Sequence, residues 1–204
     1  MEAPRYVDER LFEGHYIYVR DRGTLDDSAF LSLLDLEGYQ PDQSPKFPAS
    51  YAHILRSGEW SAFADDWYYT VYNSPSVAHC VEKIAQRFEV LRTAVGDADD
   101  SFEIYHFAEG KELRSFYLDA WNKRPPEIVR DFGTPFACEE SLKDEDPWKI
   151  IMAVASELGI DTLGLSENRT TYSKPRKQNK PAMDKPDPAS SRLTLVDRIR
   201  KLFS

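Results

Sequence analysis

The stretch from Phe88 to Leu118 constrains the fold more than any other part of the chain. It reads FEVLRTAV, a GDADDS loop, FEIYHF, an Ala108-Glu109-Gly110-Lys111 turn and then ELRSFYL. Three short runs rich in β-branched and aromatic residues, bounded by Gly and Asp clusters, have the pattern of an antiparallel meander. Glu109-Gly110 suits a two-residue hairpin turn, since Gly accepts the positive φ such turns need. In the middle run Phe102, Ile104 and His106 point one way, and Glu103, Tyr105 and Phe107 the other. Both sets carry large apolar groups, so the sheet is expected to be covered on much of both sides.

Before this meander, His15–Arg20 reads as a first strand with Tyr16 and Tyr18 opposite Ile17 and Val19. Thr24 is placed as the N-cap of a helix carrying Phe30, Leu31, Leu33, Leu34 and Leu36 and closed by Gly38. Tyr39–Pro48, with three prolines, reads as a loop. Tyr51–Arg56, Trp60–Ala64 and Trp67–Tyr72 form a second expected meander. Ser74-Pro75 opens a helix whose apolar face is Val77, Val81, Ile84, Ala85 and Phe88. After Asp119 the chain reads as irregular until Asp146-Pro147 starts a last helix through Ile151, Val154 and Leu158. The expected order is β-α-βββ-α-βββ-α, an α+β class with a mostly antiparallel sheet and packed helices.

Charge divides the chain. Residues 1–165 hold 16 Lys/Arg against 31 Asp/Glu, a net −15, whereas residues 166–204 hold 10 against 4, a net +6. Three parts follow: an acidic domain over 1–165, a Lys/Pro/Ser-rich linker over 166–192 that is expected to be disordered, and a terminal peptide over 193–204. In that peptide Val196, Ile199, Leu202 and Phe203 share a helical face, with Arg198, Arg200 and Lys201 off it. It is too short to be stable alone and is expected to dock on its own body, a partner or a membrane surface. An acidic body repels nucleic acid phosphates and attracts basic proteins. Two cysteines without metal-like spacing, no apolar run of membrane-spanning length and no signal-like N-terminus point to a reducing cytoplasm.

No phosphate-binding Gly loop, dinucleotide motif, nucleophile elbow or zinc-protease motif is present. The loop Asp97, Asp99, Asp100 with Glu103 lacks the central Gly and distal Glu of a Ca²⁺ loop, so it reads as an acidic contact patch rather than a metal site. Cys80, next to His79 on a helix, points about 100° away from it and reads as a small buried hydrophobe. His15, His53 and His106 are dispersed. Asp65, Asp66 and Trp67 place carboxylates and an aromatic at one turn, a composition suited to protein contact. No cofactor is expected.

The run FEVLRTAVGDADDSFEIYHFAEGKELRSF, the later DFGTPFACEE and the DPWKIIMAVASELGI helix together resemble the small acidic immunity proteins of bacterial polymorphic and contact-dependent toxin systems. That resemblance implies a non-enzymatic α+β module that binds and blocks a basic toxin. The residues assigned to partner contact are Asp65, Asp66, Trp67, Asp97, Asp99, Asp100 and Glu103. Two other readings stand beside it: an adaptor docking through its terminal peptide, and a small metal-dependent hydrolase built from the dispersed His and acidic residues.

Overall fold

Alternation at Tyr16–Arg20 sends two tyrosines to one face and Ile17 and Val19 to the other, and this strand, β1, lies centrally in the sheet. The computed structural model describes residues 15–43, 51–65, 75–96, 100–141, 145–162 and 169–174. In chain order β1 (Tyr16–Arg20) is followed by α1 (Asp27–Leu33), β2 (Gln40–Pro41), β3 (Tyr51–Ser57), β4 (Trp60–Asp65) and α2 (Pro75–Ala85). Then come β5 (Glu89–Val95), β6 (Phe102–Ala108), β7 (Lys111–Asp119), β8 (Glu127–Gly133), α3 (Ala137–Ser141), α4 (Pro147–Glu157) and β9 (Arg169–Ser173). The strands form one sheet in the order β2-β9-β3-β4-β1-β5-β6-β7-β8, and every pairing in it is antiparallel. The class is α+β, as the grouped strands imply.

A central sheet buried on both faces needs apolar residues at successive positions, and β1, β3 and β4 have them. On one face Ile17, Val19, Ile54 and Phe63 meet Phe30 and Leu31 from α1, Leu34 at its C-cap, and Cys80, Val81 and Ile84 from α2. On the other, Tyr16, Tyr18, Leu91 and Ile104 meet Ile150, Ile151, Val154 and Ala155 of α4. Each such side chain contributes ~1.5–3 kcal/mol on full burial, so these two layers dominate the fold's stability. The Asp146-Pro147 start of α4 is as expected, with the Asp146 carboxylate accepting from Trp148 N.

The meander that anchored the sequence reading forms β5, β6 and β7, with Glu109 and Gly110 both at positive φ (53° and 71°) in the turn. Gly110 N donates to Ala85 O at 2.8 Å, which ties this hairpin to the end of α2.

Several expectations need correction. The N-cap of α1 is Asp26, not Thr24, because the Asp26 carboxylate accepts from Ala29 N while the Thr24 hydroxyl donates to Asp21 O. Asp21 is itself buried and accepts from Leu25 N and Ser61 Oγ, which fixes that turn one step before the helix. Within the expected Tyr39–Pro48 loop, Gln40–Pro41 pairs with β9. The stretch after Asp119 is regular: β8 extends the meander by a fourth strand, and α3 follows it. The expected linker over 166–192 gives way at Arg169–Ser173, which is an internal strand flanked by β2 and β3. The expected third strand of the second meander and the terminal peptide lie outside the described residues.

Candidate interaction surface

Helices cover the middle of the sheet, but not its last strand. All seven residues of β8 are exposed. Among the described residues the exposed large hydrophobic side chains are Leu113, Trp121, Ile128, Val129 and Phe132, and all five belong to β7, β8 or the turn between them. Scattered exposed apolar residues are ordinary; five on one hairpin form a concentrated apolar stretch that sets this edge of the sheet apart.

Pairing register fixes which side chains share a face, because directly opposite residues project together. Phe116 and Leu118 of β7 pack toward α4, and their partners on β8 are Asp131 and Ile128. Tyr117 and Ser115 project to the other face with Arg130 and Phe132. The register shifts between Tyr117 and Leu118, leaving Val129 as the extra residue of a bulge. Gly133 ends the strand at φ +84°, and a Cβ there would stand 1.9 Å from Leu113 O, so only Gly fits.

Three ion clusters hold this hairpin. Arg114 is almost completely buried; its Nε and Nη2 donate to the two Glu139 oxygens at 2.9 and 2.5 Å, and Nη1 donates to Asp131 at 2.5 Å and to Phe132 O at 2.9 Å. Arg130 donates to Glu112 at 2.6 Å and to Ser115 Oγ, and lies over the Phe132 ring. Lys123 bridges Asp119 and Glu127 at 2.8 and 2.5 Å. Burial alone would push the Glu112 carboxyl up, but hydrogen bonds from Ser115 and Arg130 outweigh it and hold the group below its usual range. The hydrogen bond from Lys123 likewise lowers Asp119.

Beside the hairpin is a cleft of about 1300 Å³, lined by Trp121, Lys123 and Arg124 from the β7–β8 turn, by Asp100, and by Asp146 and Trp148 at the start of α4. Of the residues assigned to partner contact, Asp100 is exposed in this cleft. Glu103 faces a different hollow, of about 210 Å³, and is held by Arg92 at 2.8 Å. The two line neighbouring hollows that share Val95 and Gly96. Asp65 ends β4, in register with Ala52. Asp66, Trp67, Asp97, Asp99, Val196, Ile199, Leu202 and Phe203 lie outside the described residues.

The surface that the structure exposes was missed because EIVRDFG follows Pro125-Pro126 and precedes a Gly-Thr-Pro turn, which draws attention to breakers. The available signal was Ile128-Val129 and Phe132, strand-favouring residues in a run of seven.

Among the described residues no group of three or more His, Cys, Asp or Glu gathers as a metal site. His106 Nε2 lies 2.9 Å from Glu89 and its ring lies tilted against that of Phe136, inside the packed layer rather than in a cleft. No helix among the described residues is long and apolar enough to cross a membrane. Burial, aided by Asp35, pushes the Cys80 thiol up to about 11; burial and Glu157 do the same for Cys138. A thiol with that pKa holds on the order of 100-fold less thiolate at pH 8 than a free cysteine. Both cysteines are expected to alkylate at least ~10-fold more slowly than a free thiol at pH 8 in a timed iodoacetamide assay, with the rate rising toward pH 11.

Comparison of the chain with protein-family models, with curated proteins and with solved structures finds no match.

Proposed function

We propose that this chain is a non-enzymatic protein-binding module of the immunity type, which holds and masks a basic protein in a reducing cytoplasm. The observation that carries this reading is the gathering of the exposed large apolar side chains on the β7–β8 hairpin. Apolar side chains displayed on both faces of an edge hairpin, among charged groups, suit contact with another protein. The net −15 over residues 1–165 favours a cationic partner and accelerates that encounter. Contact is thus assigned to the hairpin and the neighbouring Asp100, with Glu103 engaged inside the sheet.

The test is capture of partners by the full chain at low and high salt, run beside Ile128→Lys and Phe132→Asp. A basic protein held one-to-one, released by salt and lost from both variants supports the reading. A partner retained equally by both variants places its contact elsewhere and removes this surface from consideration. Absence of any basic partner overturns the function itself.

A further inference from the structure

The two edges of the sheet are built differently. At one end β2 has only two residues, one of them Pro41, and a short proline-bearing edge cannot template another strand. At the other end β8 runs seven residues with neither Pro nor Lys, wholly exposed, and no strand lies beyond it among the described residues. Native folds guard long apolar edges, since their outward N–H and C=O groups are ready to pair. One edge is guarded and one is open.

We infer that β8 is a strand-addition site, and that its occupant is an extended, cationic and apolar segment of another protein. The inference rests on the basic-partner reading and specifies its geometry. Charge along β8 selects the occupant. Arg114 answers two carboxylates, Asp131 and Glu139, and Lys123 answers two, Asp119 and Glu127. Each cluster is therefore one carboxylate in excess, whereas Arg130 with Glu112 balances. The Glu127 and Asp131 side chains are 61% and 55% exposed, so the excess is open to a neighbour. Because of the bulge, Glu127 and Phe132 share one face of the strand while Asp131 and Ile128 share the other. With Arg130 on the Glu127 face neutralised by Glu112, each face offers one carboxylate in excess and one apolar group, and the matching strand carries a cation and an apolar residue on both of its faces.

A second copy of this chain does not match in the two-fold registers that keep faces matched and pair five or more residues of β8. Two-fold antiparallel pairing of β8 with itself centred on Arg130 opposes Arg130 to Arg130, and centring on Asp131 opposes Asp131 to Asp131. The register centred between Val129 and Arg130 sets Ile128 against Asp131 and Phe132 against Glu127. Like charges directly opposite destabilise a strand pair, and a carboxylate against an apolar ring gains nothing.

The experiment measures amide hydrogen exchange across Glu127–Gly133 in the full chain with a synthetic peptide of about eight residues, (Lys-Lys-Val-Val) repeated, whose faces each alternate cation and apolar group. Three controls accompany it: the Glu-Glu-Val-Val analogue, the Lys peptide N-methylated at every residue so that neither edge can pair, and Ile128→Lys, an exposed change that leaves the core intact. The inference expects at least ~10-fold slower exchange at β8 with the Lys peptide, and none of that protection with any control. Equal protection by the N-methylated peptide would mean side-chain docking without strand pairing, overturning strand addition while leaving the basic-partner reading in place. Equal protection by the Glu peptide would remove the charge argument on which both rest. No protection by any peptide overturns strand addition, and the capture experiment above then decides the function separately. A free protein that sediments as a dimer, and as a monomer after Ile128→Lys, makes the occupant a second copy. Protection already present in the free monomer and released by Leu202→Asp makes it this chain's own terminal peptide. Either result overturns the inference.

Discussion

Arg114→Leu is expected to destabilise the protein by about 3–5 kcal/mol, because it leaves buried carboxylate charge without its counterion. The guanidinium is 2% exposed and works through a rigid fork: both Glu139 oxygens on one side, Asp131 and the Phe132 carbonyl on the other. It also stands over the Phe116 ring, 5.3 Å from its centroid. Glu139, only 13% exposed in its side chain, additionally accepts from Phe136 N at 2.9 Å. One cation thus fixes β8 to β7 and α3 to the sheet. The hydrogen bond to Glu139 is the main cause that raises the Arg114 pKa, with burial opposing it and Asp131 adding to it, so the guanidinium keeps its charge throughout the usual pH range. Arg114→Lys should recover only part of the loss, since a point charge cannot serve both carboxylates in the plane that Arg does. The double variant Arg114→Leu, Glu139→Leu should be less destabilised than Arg114→Leu alone, because no buried charge is orphaned. Urea unfolding of the four proteins checks this. A loss under about 1 kcal/mol for Arg114→Leu would show that the cluster is worth no more than a surface pair.

The parts of the fold that were legible in the sequence are those where local chemistry and tertiary packing agree. The β5–β6–β7 meander, the Glu109-Gly110 turn, the Asp146-Pro147 cap and the Val81, Ile84 and Ala85 part of the apolar face of α2 each follow from a short-range rule, and packing leaves them unchanged. The misses share a cause. Thr24 lost the cap to Asp26 because its hydroxyl donates to the Asp21 main-chain carbonyl, in a turn fixed by the buried Asp21 carboxylate, which nothing local in the sequence reveals. β2 is two residues long and exists only because β9 is beside it. The face pattern of β6 was read correctly, with Phe102, Ile104 and His106 buried. Two-sided cover, however, stops before the last strand, since four helices cannot span nine. The candidate site suffers most from this limit: acidic residues draw attention as contact groups, yet Glu103 is consumed by Arg92. What makes β8 a candidate is its position at the sheet edge, and strand order is a global property that no local pattern encodes.

The same reasoning predicts that a chain truncated after Leu165 cannot keep the native sheet. Residues 166–192 contain no Val, Ile, Leu, Phe or Trp and read as a linker, but Thr170, Thr171 and Tyr172 are strand formers that the count ignored. Five residues of β9 pair with β3 from Leu55 to Tyr51, and β2 attaches to the sheet only through β9. Tyr172 is 7% exposed, packs into the layer shared with α1 and α2, and donates its hydroxyl hydrogen to Asp27 at 2.5 Å. Without β9 a central strand becomes an edge, and Tyr51, Ala52 and Ile54 lose cover. Tyr172→Ala in the full chain is expected to cost about 3–5 kcal/mol, in line with large-to-small changes at buried aromatics, and Tyr172→Phe about 1–2 kcal/mol for the hydrogen bond to a carboxylate. A further signature separates them. Burial, then Asp27, pushes the Tyr172 pKa up to about 12 from 10. A raised tyrosine pKa favours the neutral form in the folded state. Its contribution, on the order of 2 kcal/mol, is complete below pH 10 and lost between about 10 and 12. The wild type should therefore lose stability faster than Tyr172→Phe over that window in denaturant melts. Identical alkaline slopes, or a truncated chain that melts like the full one, would mean that β9 rests on the sheet without holding it.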